Sequence, residues 1–535
     1  MRTVPFRSSP TSLGVLSIAT VAVLGLSACG SSGGNTSSAG KTFVDGKTFT
    51  LALTSDPGAL DPQMGATGTL FQVNRLAYDS LVSVDDKGTI KSQLAKSWKF
   101  DGTKVTFEIN SGVTCADGSA FTAQTAADNI AFVEDPKNHS PLLGVSVPAG
   151  AKAAVSGSTL TVTLATPAPF ALSSFARLPM VCESGLKDRT SLKAGTAGTG
   201  PYTLKAAVPG DHYTYQLRTG YTWGPGGAAT SATGMPATIE VKIVSNETTI
   251  ANQILSGAVN AASIEGPDAA RLNAAKVSRV DEQVVLGEQW YNHATGHTSD
   301  PAVRAALTRS LDLGQLQKVL TSGKGGPATQ LAAVAPAGCT GNSVQGNVPS
   351  TDVAAATSGL EAAGWAKGAD GIYAKDGKKL TVSLLYDTTF GTGGGAAADL
   401  AVQQWKAAGI QATAKGLDQT GMQTAMFSTG DWDVVWEPVN VNTPDQLVPF
   451  LSGRGVADGG TNFAGIQNAD YSAGVTKAMA QVGTAGCSDW LAAEGKLFAA
   501  NDVVPFANSI LSYFAKGAQM TVVSTIVPTS IRMLG

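Results

Sequence analysis

The stretch Thr54-Ser55-Asp56-Pro57-Gly58-Ala59-Leu60-Asp61-Pro62 opens a series of short motifs spread along the chain. Leu76-Ala77-Tyr78-Asp79-Ser80-Leu81-Val82 follows, then Leu94-Ala95-Lys96-Ser97-Trp98 and Gly112-Val113-Thr114-Cys115-Ala116-Asp117-Gly118. The series continues with Gly198-Thr199-Gly200-Pro201-Tyr202, Asp300-Pro301-Ala302-Val303-Arg304-Ala305-Ala306-Leu307, Ala362-Ala363-Gly364-Trp365 and Gly430-Asp431-Trp432-Asp433. Each motif alone is weak. Their order and spacing are specific.

Strands and helices alternate around these motifs. Val105, Phe107 and Ile109 alternate with Thr106, Glu108 and Asn110, the period of a half-buried strand. Leu160, Val162 and Leu164 repeat the pattern, as do Ile239, Val241 and Ile243, and Leu380, Val382, Leu384 and Tyr386. Asp300-Pro301 reads as a helix cap with proline at the first helical position, and Val303, Leu307 and Leu311 follow at helical spacing. Ala397, Leu400, Ala401, Trp405 and Ala408 form a second helical stripe. The class is α/β or α+β. Glycine-rich stretches at 223–234 and 392–395 read as surface loops. Residues 391–396 satisfy G-x-G-x-x-A, but residues 386–390 separate the preceding strand from the first glycine, where a dinucleotide fold needs a tight turn.

The chain has 535 residues, 43% hydrophobic and 14% charged, enough apolar material for a large core and too long for a single one. A formal net charge of −3 offers no electrostatic footprint for nucleic acid. Four histidines and five cysteines leave little for a metal centre, and no metal or cofactor is expected. Arg2 and Arg7 precede an apolar stretch at 13–26 that is too short to span a membrane. It ends in Leu26-Ser27-Ala28-Cys29, which resembles a bacterial lipobox. The resemblance implies a signal peptide over 1–28 and a lipid on Cys29, and cleavage there takes the charge from −3 to −5. Residues 29–47, rich in Ser and Gly, read as a flexible tether.

In order and spacing, the motifs resemble the family 5 extracellular solute-binding proteins, the oligopeptide-, dipeptide- and nickel-binding components of bacterial ABC importers. The resemblance covers about residues 48 to 515. It implies a two-lobed α/β fold of the periplasmic-binding-protein type (type II), with an extra domain inserted in lobe I. Lobe I is expected over 48–285 with the insert at about 91–179, lobe II over 286–505, and a return to lobe I over 506–535. Setting Cys29 aside for lipid leaves four cysteines, which allow three connectivities. Pairing Cys115 with Cys182 and Cys339 with Cys487 keeps each bridge within one lobe or its insert, so that closure stays free.

The implied role is a monomeric, lipid-anchored receptor on the extracellular face of the cell membrane. It would capture a small solute, a peptide by family default, and deliver it to an ABC permease and its ATPase. It would perform no chemistry itself. In peptide-binding relatives an aspartate holds the peptide's amino terminus. Alignment puts Asn440 at that position, and Trp436 near an arginine that some relatives use for carboxylates. With both peptide-end anchors altered, Trp436, Glu437, Asn440 and Asn442 suggest an aromatic face and amides, which suit an oligosaccharide or other polyhydroxyl solute. Thr67, Glu265, Trp290 and Phe390 are further expected cleft positions. A separate alternative is a secreted glycoside hydrolase with Glu265 and Glu437 as its paired carboxylates.

Overall fold

The structure, a computed structural model, describes residues 42–535 apart from Ala66. The expected signal peptide and the lipid-bearing Cys29 lie outside the described residues. The last residues of the expected tether do not hang free. Phe43 bridges to Leu534, Val44 N donates to Met533 O, and Asp45 accepts from Gly234 N at 2.6 Å.

Two long antiparallel strands, Ser278–Tyr291 and Val503–Ala515, form the spine of a ten-stranded sheet. On one side of this pair the sheet continues through Ala261–Ser263, Thr48–Leu53, Thr238–Ile243, His212–Leu217 and Tyr202–Val208. On the other side it continues through Val434–Trp436, Thr381–Asp387 and Gln411–Leu417. The spine pairs from Ser278↔Ala515 to Trp290↔Val503, and its register slips between Val285 and Glu288. Gly287 sits at that slip for a steric reason: a Cβ there would lie 2.7 Å from both the Ala507 Cβ and the Phe506 ring. The two halves of the protein are therefore joined by continuous hydrogen-bonded strands with one irregular point.

Parallel pairs occur on both sides. Thr48–Leu53 runs with Thr238–Ile243, and Thr381–Asp387 runs with both Gln411–Leu417 and Val434–Trp436. The helix Gly391–Ala407 crosses over between two of them, as parallel pairing requires. A separate four-stranded antiparallel sheet, ordered Ala95–Phe100, Lys104–Ile109, Thr159–Thr163, Lys152–Ser156, packs under the helix Ala123–Glu134. Val105, Phe107 and Ile109 all face its core, as their alternation predicts. Cys115–Cys182 and Cys339–Cys487 are the two disulfides, and Cys115, Cys182 and Cys339 lie in buried clusters.

Asp300 caps the helix Pro301–Arg309 by accepting from Ala302 N at 2.9 Å. The helix ends before Leu311, which is buried beyond it. The glycines of 392–395 are helical and form no loop. A Cβ on Gly393 would meet Leu320 O at 2.5 Å, and one on Gly394 would meet the Phe390 Cβ at 2.6 Å. Close packing, rather than flexibility, requires them. The stretch 223–234 is irregular as expected, yet Trp223 is buried and Pro225 faces the cavity described next.

Candidate functional site

A cavity of about 360 Å³ opens where the two halves face each other. Its floor is the spine, through Glu282, Gln283, Val284 and Leu511. One wall comes from the first half, through the helix Gly68–Ala77 and Tyr221. The other comes from the second half, through Val334, Pro336, Asn440 and Asn442. The cavity is thus lined from both sides of the spine, a concave site of the kind small ligands occupy.

The helix wall is built locally. Thr67 is its N-cap, accepting from Leu70 N at 3.3 Å, and the adjacent Gly68 faces the cavity. Near its end, the Arg75 Nη1 donates to Val523 O at 2.7 Å, and to Thr525 O and Oγ1 at 3.2 Å. That arginine pins the C-terminal hairpin against the site. Glu282 receives Ser524 N from the same hairpin at 2.6 Å. Burial lowers the Arg75 guanidinium to about 10, opposed by the field of Glu282, and burial raises the Glu282 carboxyl. Asp79 also lines the cavity, but four donors saturate it: Gln93, Thr199, Tyr221 and Trp223 at 2.7–3.0 Å. Burial raises its pKa, and these hydrogen bonds oppose the shift.

Of the residues read from sequence, Asn440 and Asn442 come together on the cavity wall. The Asn440 Oδ1 accepts from Val285 N at 2.9 Å, tying this wall to the spine just before the register slip. The Asn442 Nδ2 donates to Val334 O and Ala335 O at 3.0 and 3.2 Å, while its Oδ1 is buried without a partner.

The two tryptophans correct the expectation of an aromatic cleft face. Both Trp290 and Trp436 are 0% exposed. Trp436 donates to the Gln289 Oε1 at 3.0 Å and packs against Phe506, the ring centroids 5.1 Å apart and the planes tilted by 54°. Trp290 donates to Glu437 O at 2.9 Å and lies 5.0 Å from Phe463. Their strands are interior to the sheet and covered on both faces, so neither ring is presented to a solute.

The remaining positions lie elsewhere. Glu437 follows the strand end, half-buried, with Oε2 lacking a partner; burial, then Asp387, pushes it up to about 7. Glu265 contacts the Glu247 and Lys324 side, its carbonyl accepting the Lys324 Nζ at 2.6 Å. Burial raises its carboxyl, Glu247 adds to the rise, and Lys324 opposes it. Phe390 packs at the start of the helix Gly391–Ala407. None of Glu265, Glu437 and Phe390 lines the cavity, so the carboxylate pair of a glycosidase is not assembled there.

Sequence reasoning missed Arg75, Arg177 and Glu282 as cavity residues. One signal was available for Arg177: it is the only charge in the apolar run from Phe170 to Cys182. Among the described residues, no cluster of three or more His, Cys, Asp and Glu is placed to hold a metal ion, and no helix is long and apolar enough to cross a membrane.

Comparison with known proteins places this geometry. Residues 89–458 match the family described as bacterial extracellular solute-binding proteins, family 5 Middle. Protein XP55 of Streptomyces lividans is 28% identical over 348 residues, covering 63% of this chain and 60% of that protein. The periplasmic murein peptide-binding protein MppA of Escherichia coli K12 is 24% identical over 314 residues, covering 53% and 57%. The match thus spans somewhat less than two thirds of these relatives' own length. Among solved structures, the MppA murein tripeptide binding protein in its unliganded open form superposes with a TM-score of 0.72 at 20% identity, covering 93% of this chain and 99% of that one. A substrate binding protein from Microbacterium hydrocarbonoxydans, complexed with 4-hydroxybenzoate hydrazide, gives 0.69 at 23% identity, covering 91% and 100%. The fold is the two-lobed α/β fold of these binding proteins, and the chain belongs to the bacterial extracellular solute-binding proteins, family 5.

Proposed function

We propose that this protein is a lipid-anchored receptor on the extracellular face of the cell membrane. It captures a peptide between its halves and delivers it to an ABC permease, whose ATPase subunit supplies the energy. Lobe I is assigned to 48–285 with an insert at about 91–179, lobe II to 286–505, and the tail 506–535 returns to lobe I. The observation that carries this reading is the cavity of about 360 Å³ walled by both halves and floored by the spine that joins them. Family membership supports the transport role, and the name of MppA, a murein peptide-binding protein, supports the ligand class. The tryptophan faces that favoured a sugar are buried away from the cavity.

Thermal shift against peptide and oligosaccharide libraries tests the proposal. A ligand that binds only the folded state at 100 times its Kd stabilises by about 2.7 kcal/mol, which a melt resolves. Stabilisation by peptides supports the reading. Stabilisation by oligosaccharides alone overturns the ligand class, and turnover of a glycan overturns the receptor role.

A further inference from the structure

Phe170 and Ala171 are neighbours in the chain, yet they are buried in different cores. Ala171 and Phe175 belong to the cluster built on the separate four-stranded sheet. The Phe170 ring, 4% exposed, belongs to a cluster of the second half, with Leu331, Cys339, Leu447 and Trp490. A phenyl side chain from the edge of the inserted domain is thus packed inside the opposite half.

Its seat is shaped for it. A Cβ on Gly338 would lie 3.1 Å from the Phe170 Cε1 and 2.8 Å from the Thr443 Cγ2, so the bare Cα leaves room for the ring beside Thr443. Backbone groups close the same contact, with Gly483 N donating to Pro169 O at 3.0 Å. Burial raises the Asp445 carboxyl, and the Phe170 N–H is among the groups that oppose the rise. The Cys339–Cys487 bridge joins the two seat segments to each other, and the Cys487 Sγ lies 3.5 Å from Gly338 O. The inserted domain meets the second half at another point nearby. A Cβ on Gly102 would lie 3.3 Å from the Val482 Cγ2, and Ala168 N donates to Gly102 O at 3.1 Å, which ties the two points together.

This contact borders the cavity. Ser173, Ser174 and Ala176, just beyond Phe170, line it from one side, and Gly338, Asn442 and Thr443 line it from the other. Phe170 itself is not part of the lining. The halves are therefore held together beside the cavity by the protein's own groups, as well as by the spine at the floor. Separating them there would return a buried phenyl ring to water, which opposes separation.

We infer that Phe170 is a clasp: seated on Gly338 and Thr443, it locks the inserted domain onto the second half and keeps the cavity closed over its solute. The inference rests on the reading of a solute captured between the halves. It makes the solute's residence time depend on a contact outside the cavity lining.

Hydrogen exchange by mass spectrometry on the ligand-free mature chain reads the clasp directly, through the Gly483 N–H that donates across it. The proteins are the native chain, Phe170→Ala, Phe170→Leu and Gly338→Ala, so that one variant removes the ring and another fills its seat. Exchange at Gly483 should accelerate roughly 100-fold in Phe170→Ala, the scale for truncating a buried phenylalanine. Gly338→Ala should act in the same direction, and Phe170→Leu should retain part of the protection. Strands Lys104–Ile109 and Val503–Ala515 should exchange as in the native chain. Acceleration there too makes Phe170 an ordinary core residue and overturns the clasp, as does unchanged exchange at Gly483. Stopped-flow binding of a tripeptide library gives the second readout. Phe170→Ala should release tripeptides faster by a similar factor while associating no more slowly, because the clasp acts only on the closed form. Unchanged release, or slower association, overturns the clasp and leaves the peptide receptor standing. Absence of tripeptide binding by the native chain overturns the peptide reading, and the exchange at Gly483 then decides the clasp by itself.

Discussion

Glu288 gives the sharpest test of the energetics at the strand crossing. It follows Gly287 at the register slip and is fully buried. One carboxyl oxygen accepts from Val439 N at 2.8 Å, and the other is buried without a partner. Burial pushes its pKa up to about 8; the Val439 N–H opposes the shift, and the fields of Glu494 and Glu437 add to it. In the unfolded chain a glutamate titrates near ~4.3. Between those values the folded state holds a proton that the unfolded chain releases, so stability is fully present below about pH 4 and falls as pH rises toward 8. At ~1.36 kcal/mol per pH unit, the loss from pH 5 to pH 8 is about 3 kcal/mol for this one group. Glu288→Gln keeps the volume and the acceptor for Val439 N–H but cannot ionise. Urea unfolding at pH 5, 6, 7 and 8, followed by tryptophan fluorescence, should give the variant a dependence flatter than the native chain by about 3 kcal/mol across that range. Parallel curves for the two proteins would refute the assignment. Glu437 and Glu494, each pushed to about 7, act with the same sign, so the variant keeps a residual slope.

His293 bends the curve the other way: burial, with Arg304 beside it, lowers its pKa to about 4, so stability is lost as pH falls from ~6.5 toward 4. His293→Gln should remove about 3 kcal/mol of that acid loss, and an unchanged acid limb in the variant would contradict it. Cys339 and Cys487 are 148 residues apart, and a bridge of that span contributes roughly 5 kcal/mol in the chain-entropy account. Replacing both by serine should therefore lower the urea midpoint strongly, and a loss below ~1 kcal/mol would argue against that account here. Gly287→Ala places a Cβ 2.7 Å from the Ala507 Cβ and the Phe506 ring and should destabilise by about 1–3 kcal/mol; an unchanged melt would mean the spine yields at its slip.

What was legible in the sequence follows the range of the forces involved. Val105, Phe107 and Ile109 alternate because one face of an antiparallel sheet is buried, a local constraint that writes itself at period two. Asp300-Pro301 declared a helix start because capping involves only neighbouring residues. The glycines of 392–395 misled because Gly393 is there for its contact with Leu320, and propensity cannot register a contact with so distant a partner; Gly394 is held by its near neighbour Phe390. Trp436 stands in a segment with a legible pattern. Val434, Val435 and Trp436 are all buried in sequence, and such a run without alternation marks a strand covered on both faces, where no ring is free for a solute. Arg75 is the opposite case. Its bonds to Val523 and Thr525 join residues 448 and 450 positions apart, and contacts of that separation have no signature in a local window. Glu282 shares its wall and meets Ser524 from the same hairpin, 242 positions away. A cavity assembled from segments around residues 75, 282 and 440 is therefore read from the fold. Periodicity reports local constraints, whereas the wall of this cavity is set by contacts between distant segments.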